Sequence, residues 1–223
     1  IHHRNTLAEE WSTIEGFNSS TSSEIPADTT VVIIAVNDTA ILEVLSEYSF
    51  PKTSTITHTS GSIPIDIFKN SQLLDHGVFY PLQSLTKGYV SDNVPILLEA
   101  SNQDTLATLK PLADKLSKHV YEVSSRRRRK IHLAAVFASN FVNHQLTIAQ
   151  EILADEIPLS ILKPLTTQTI EKAFALGPIE AQTGPAKRGD DLVIQSHLNE
   201  IEAIELKNIY QLLSEHIQST HQK

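Results

Sequence analysis

This chain of 223 residues is 40% apolar and 20% charged, the balance of a soluble globular protein with one large domain or two modest ones. A net charge of −8 argues against general binding to nucleic acid or anionic membrane, and the lack of cysteine excludes disulfides, thiolate catalysis and cysteine-ligated metals. No run is apolar and long enough to span a membrane, which points to a cytoplasmic protein. The chain neither begins with Met nor contains one. Either its natural start lies upstream or modified Met residues are absent from the sequence.

The first half alternates strand and helix. Thr30–Val36, TVVIIAV, is a β-branched apolar run of the kind buried on both faces of a sheet. Asn37-Asp38 ends it, and Thr39–Tyr48 has helical spacing, with either residue a candidate helix cap. Thr53–Thr59 is a second strand, closed by Ser60-Gly61. Further strands are expected at Gly77–Tyr80, Pro95–Ala100 and His119–Val123. The helix between the last two takes Ser101 as N-cap and Asp104 as its capping-box partner. Alternation of this kind implies βαβ units and a mainly parallel sheet.

Near Ser124-Ser125 the pattern changes, and beyond it no strand is expected. The boundary therefore falls at residue 125, with an α/β domain over 1–125 and an all-helical domain over 126–223. The basic run Ser124–Lys130, SSRRRRK, reads as the solvated start of a long helix, Arg126–Asp155, without the interleaved aromatics of a nucleic-acid surface. That helix carries His132, Asn140, Asn143 and His144 among apolar residues, and buried polar groups need partners. His132, Val136, Asn140 and His144 recur every four residues, so Asn140 and His144 lie on adjacent turns. A helix at Leu159–Leu176 is stopped by Gly177-Pro178. The segment Gly177–Asp190, GPIEAQTGPAKRGD, follows as a stiff loop in which Gly184 and Gly189 permit turns other residues resist. It displays Glu180, Gln182, Thr183 and Arg188. Helices at Asp191–Asn199 and Glu205–His221 complete the chain. No metal-ligand spacing such as H-E-x-x-H occurs, so no metal is expected.

Four segments, HTSGS (His58–Ser62), GVFYPLQSLTKG (Gly77–Gly88), HLAAVFASNFVNH (His132–His144) and EAQTGPAKRGD (Glu180–Asp190), carry a family resemblance that extends over essentially the whole chain. The chain resembles the 6-phosphogluconate dehydrogenase-like superfamily, which includes pyrroline-5-carboxylate reductase and ketopantoate reductase. It is most similar to a branch of Rossmann-like NADP oxidoreductases with a C-terminal helical domain of unknown function. The resemblance implies a Rossmann-like sheet domain, NADP as cofactor, hydride transfer to or from a small carbonyl or imine substrate in the interdomain cleft, and a homodimer through the helical domain. The alternative is a nucleotide-binding or scaffold protein that keeps the fold without turnover.

The family's first strand and its Gly-rich pyrophosphate turn have no counterpart here, since no G-x-G-x-x-G can be read among only seven glycines. By the resemblance Ile1–Thr6 ends the family's second strand, so Arg4, Asn5 and Thr6 would meet the 2′-phosphate of NADP, with no acid there to select NAD. Ala35, Val36 and Asn37, with His58 and Ser60, would follow the ribose and nicotinamide. Tyr80 and Gln83 would line the substrate cleft. The superfamily helix often carries Lys and, four residues on, Asn. Asn140 fits the Asn and Val136 takes the Lys place, so His144 or His132 would replace the lysine as proton donor. Asn143, Thr183 and Arg188 would bind the substrate, Arg188 clamping an anionic group.

Overall fold

The computed structural model describes residues 24–84, 93–154 and 156–221. Arg4, Asn5 and Thr6, expected to end a preceding strand and to meet NADP, lie outside the described residues. The chain divides into two compact units, Ile1–Asn140 and Phe141–Lys223.

In the first unit, β1 (Val31–Ile34), β2 (Thr55–His58), β3 (His76–Pro81), β4 (Ile96–Ala100) and β5 (Val120–Glu122) form one sheet in the order β1-β2-β3-β4-β5. The pairs β1/β2, β2/β3 and β4/β5 are parallel and β3/β4 is antiparallel, so the sheet is mainly parallel, as expected. Helix α1 (Ile41–Glu47) lies between β1 and β2, and α2 (Gln103–Leu116) between β4 and β5. Phe79, Ile96 and Leu98 pack with Leu109 and Ala113 of α2 in one buried cluster, and Ile34, Ile56 and Phe68 make a second. Burial at about 25 cal/mol per Å² of apolar surface makes these two clusters the main support of the sheet.

Local details differ from the sequence reading. Of the TVVIIAV run only Val31–Ile34 is strand; Ile34 is buried but Ile33 is exposed, because β1 is an edge of the described sheet. The cap of α2 is Asn102, whose side chain accepts from Thr105 N at 2.8 Å. Ser101 is held back by the sheet: its N donates to His76 O at 2.8 Å and its Oγ accepts from His76 N at 3.1 Å.

The long helix expected over Arg126–Asp155 is present as a continuous run of helical residues from 125 to 153, with one π turn inside it. Helix α3 (Ser125–Ala135) runs into a π-helical turn at Val136–Asn140, and α4 (Phe141–Leu153) follows. A π turn bonds i to i+5 and takes in an extra residue, so the residues after it are turned round the axis relative to an uninterrupted α-helix. The first unit takes in α3, which Arg128 ties to the sheet. The basic run is thus not simply solvated: Arg128 is completely buried.

The second unit is helical: α4, α5 (Lys163–Leu176), α6 (Pro178–Ala181), α7 (Pro185–Arg188), α8 (Asp191–Glu200) and α9 (Ile204–His221). The expected stiff loop Gly177–Asp190 contains two single-turn helices, α6 and α7. Each starts with Pro at its first position after a glycine of positive φ, Gly177 at 88° and Gly184 at 104°. Proline presets the first helical φ, and the extended, positive-φ conformation before it is open almost only to glycine.

Candidate active site

Because β1, β2 and β3 are parallel, their carboxyl ends fall on one edge of the sheet, the edge where open α/β sheets bind ligands. Three segments leave that edge: Ala35–Asp38 after β1, Thr59–Ile63 after β2, and Tyr80 at the end of β3.

The loop after β2 is folded on its own side chains. His58 Nδ1 accepts from Ser60 N at 3.1 Å, which leaves the proton on Nε2. Ser60 Oγ in turn accepts from Ser62 N at 3.1 Å and Ile63 N at 3.0 Å. The His58 ring is fully buried and stacks on Phe68 with centroids 5.6 Å apart. Burial, reinforced by the nearby Arg128 guanidinium, lowers its pKa from 6.5 to about 4, so His58 is neutral. Its Nε2 makes no hydrogen bond. His58 and Ser60 therefore shape the loop with their polar atoms turned inward. Ser62 Oγ reaches across to donate to Asp38 Oδ2, tying the ends of β1 and β2 together.

On this loop sits Gly61. A methyl group there would lie 2.6 Å from His132 Nδ1 and 2.8 Å from Tyr80 Cζ, closer than any real contact. Only glycine lets the two rings settle against the backbone. Tyr80 OH and His132 Nδ1 are 3.0 Å apart, and the rings meet edge to face at 5.9 Å. Desolvation of the half-buried phenol raises its pKa above 10, although Arg128 pulls the other way. Tyr80 thus keeps its proton at neutral pH.

Arg128 anchors the loop from behind. Its guanidinium pairs with Glu99 Oε2 and donates to the carbonyl of Ile63, while Ser125 N and Oγ donate to the Glu99 carboxylate, each at 2.7 Å. Ile65 N adds a bond to Ser125 Oγ at 3.0 Å. The sequence reading missed this residue. Its signal was the spacing Arg128, Ile131/His132, Ala135, which marks the inward side of α3, together with Glu99 in an otherwise apolar strand.

The other sequence-derived candidates divide as follows. Ala35, Val36 and Asn37 are exposed at the end of β1, and the Asn37 side chain makes no cap bond. Gln83 is half-buried two residues beyond β3. Asn140, at the end of the π turn, is exposed. Asn143, His144, Thr183 and Arg188 belong to the second unit and are exposed. Arg188 reaches Asp190 at 4.0 Å, and Asp190 caps α8 by accepting from Val193 N. Of all the candidates, the structure pairs Tyr80 with His132 and joins His58 to Ser60. Among the described residues no cluster of three or more His, Asp or Glu could hold a metal ion, and no helix is long and apolar enough to cross a membrane.

Residues 94–217 match the family described as a domain of unknown function, DUF2520. The chain belongs to that family. A crystal structure from Bacteroides fragilis, provisionally named an NADP oxidoreductase, is 32% identical over 98% of this chain and 87% of its own, with a TM-score of 0.87. A Thermotoga maritima structure is 24% identical over 86% of this chain and 78% of its own, with a TM-score of 0.67. An imine reductase from Myxococcus stipitatus, solved with NADP+, is 13% identical over 90% and 76%, with a TM-score of 0.50. The last two establish likeness of fold alone. No curated protein matches the chain. This DUF2520 protein thus has the Rossmann-like sheet followed by helices that the sequence motifs implied.

Proposed function

We propose that this chain is an NADP-dependent oxidoreductase that passes hydride to or from a small, anionic carbonyl or imine compound. The Tyr80–His132 pair resting on Gly61, at the carboxyl edge of parallel strands, carries this reading. The whole-chain likeness to the Bacteroides fragilis structure provisionally named an NADP oxidoreductase supports it.

The residues at the edge fit a dinucleotide. Ala35–Asn37 offer exposed backbone and an uncommitted amide. Bound NADPH supplies the hydride. The chain's own part is the proton. Tyr80, held protonated by burial, gives it to the oxygen or nitrogen of the reduced double bond. His132 supports the step in the tautomer that donates Nδ1–H to the phenolic oxygen, which offsets the developing negative charge. Arg188, exposed and only loosely paired with Asp190, is the group for an anionic substrate, with Thr183 beside it. His144, the donor first expected from the sequence, is exposed on α4, and Tyr80–His132 replaces it in this role. A homodimer through the helical unit completes the reading.

The test is a screen of small carbonyl and imine acids with NADPH, followed by cofactor absorbance. With a substrate in hand, Tyr80→Phe should lower kcat by roughly 10²–10⁴-fold, the usual worth of a positioned general acid, and leave NADPH affinity unchanged. An unchanged kcat would remove Tyr80 from the chemistry.

A further inference from the structure

The loop after β2 is anchored at both ends. Thr59 N donates to Ile34 O of β1 at 3.2 Å, and the Ile63 carbonyl accepts from the Arg128 guanidinium. Between these anchors lies Gly61, against which the Tyr80 and His132 rings rest so closely that a single methyl group would overlap both. The placement of this one backbone unit therefore decides how the two rings meet.

Serines on either side of Gly61 fix it. Ser60 Oγ accepts from Ser62 N at 3.1 Å and from Ile63 N at 3.0 Å, which occupies both of its lone pairs. Its own proton then needs an acceptor, and Ser62 Oγ lies 3.4 Å away. Ser62 Oγ is in turn 2.5 Å from Asp38 Oδ2. A carboxylate only accepts, so the Ser62 proton points at Asp38 and its lone pairs stay open to Ser60. The chain of hydroxyls thus runs in one direction, from Ser60 through Ser62 to Asp38, and ends on a charge, where a hydrogen bond is stronger than between neutral groups. Ser60 is buried, Ser62 half-buried and Asp38 exposed, so the chain carries a buried turn out to the carboxyl edge of the sheet.

We propose that Ser62 is a positioning residue for the proton-transfer pair: its hydroxyl, bridging Ser60 and Asp38, holds the Gly61 backbone where Tyr80 OH and His132 Nδ1 stand 3.0 Å apart. This rests on the oxidoreductase reading above and assigns to it a residue that acts through Gly61 rather than on the substrate. Without the bridge the turn relaxes toward solvent, the rings lose the surface behind them, and a misplaced catalytic group costs rate steeply. The competing explanation is charge: Asp38 adds to the desolvation that raises the Tyr80 pKa, an effect that needs no Ser62.

Ser62→Ala removes the bridge, Ser62→Thr keeps its hydroxyl, and Asp38→Asn removes the charge while keeping an acceptor oxygen. The first readout needs no substrate: the ring N–H signal of His132 in NMR spectra, assigned by its loss in His132→Gln. In Ser62→Ala this signal should move or vanish into exchange with water, and Ser62→Thr should restore it. The second readout is turnover. Ser62→Ala should lower kcat roughly 10-fold with NADPH affinity unchanged, and should cost nothing further once Tyr80 is already Phe, because its effect passes through that hydroxyl. An unmoved His132 signal in Ser62→Ala overturns the inference, as does a loss of kcat that persists in full in the Tyr80→Phe background. A loss in Asp38→Asn with none in Ser62→Ala overturns it too and gives the effect to the charge. If Ser62→Ala fails to fold, Asp38→Ala cuts the same bridge from its other end and is read in the same way, against Asp38→Asn. A moved signal without turnover on any substrate removes only the oxidoreductase reading, and turnover with an unmoved signal removes only this inference.

Discussion

The two units of this chain are built on different terms. The sheet unit encloses Ile56, Phe68, Val78, Leu98 and Leu109 almost completely, and even an arginine, Arg128, is sealed inside it. In the helical unit the buried residues are Ala186, Ile194 and Ser214, while Leu165, Phe174, Leu192 and Leu212 stand in solvent. Hydrophobic burial is the main favourable term in folding, so the first unit has its own source of stability and the second largely lacks one. The proposed chemistry follows the same division. The Tyr80–His132 pair needs a fixed backbone at Gly61, and it sits where the core is complete.

This contrast can be broken most forcefully at Arg128. Arg128→Met leaves the partly buried Glu99 without its cation, and the cost expected is about 3 kcal/mol of sheet-unit stability, measured by urea unfolding. Loss of the guanidinium also frees the Ile63 carbonyl and with it the loop under Tyr80. A change under 1 kcal/mol would mean that the sheet unit does not depend on its buried charge.

The next effect is one of pH. In the unfolded chain His58 takes up a proton near pH 6.5, and in the folded chain only near pH 4. Between those values the unfolded state binds more protons, so acidification favours unfolding. His58's contribution is full above pH 6.5, falls as the pH drops toward 4, and is flat below. The difference amounts to about 3 kcal/mol. In His58→Asn, whose side-chain oxygen can still accept from Ser60 N, that part of the acid slope should disappear from pH-dependent unfolding curves. A slope identical to the parent would place the acid sensitivity elsewhere.

The smallest effect belongs to the helical unit's surface. Arg188 and Asp190 are 4.0 Å apart and largely solvated, so Arg188→Ala should shift the unfolding midpoint by no more than about 0.5 kcal/mol while raising the KM of an anionic substrate. A large stability loss with KM unchanged would make Arg188 a structural residue rather than a substrate clamp.

Much of this was legible in the sequence where one local rule governs. The parallel strands announced themselves as β-branched runs between turn residues, and the glycine–proline pairs at Gly177 and Gly184 marked backbone that only glycine adopts. What could not be read depended on partners distant in the chain. Arg128 looks like its three neighbouring arginines until Glu99 and the Ile63 carbonyl are brought to it. The π turn at Val136–Asn140 leaves no local mark, yet it turns the residues after it round the helix axis. The resemblance set Tyr80 in the substrate cleft, and only the absence of a side chain at Gly61 lets it meet His132. The cap of α2 moved from Ser101 to Asn102 because β3 had the stronger claim on Ser101.

The most direct test of the account is calorimetric titration of NADPH into the protein, with NADH as the control. The account predicts saturable binding that favours NADPH. Binding of neither cofactor would contradict it and leave the Tyr80–His132 pair as a packing feature of a non-catalytic fold.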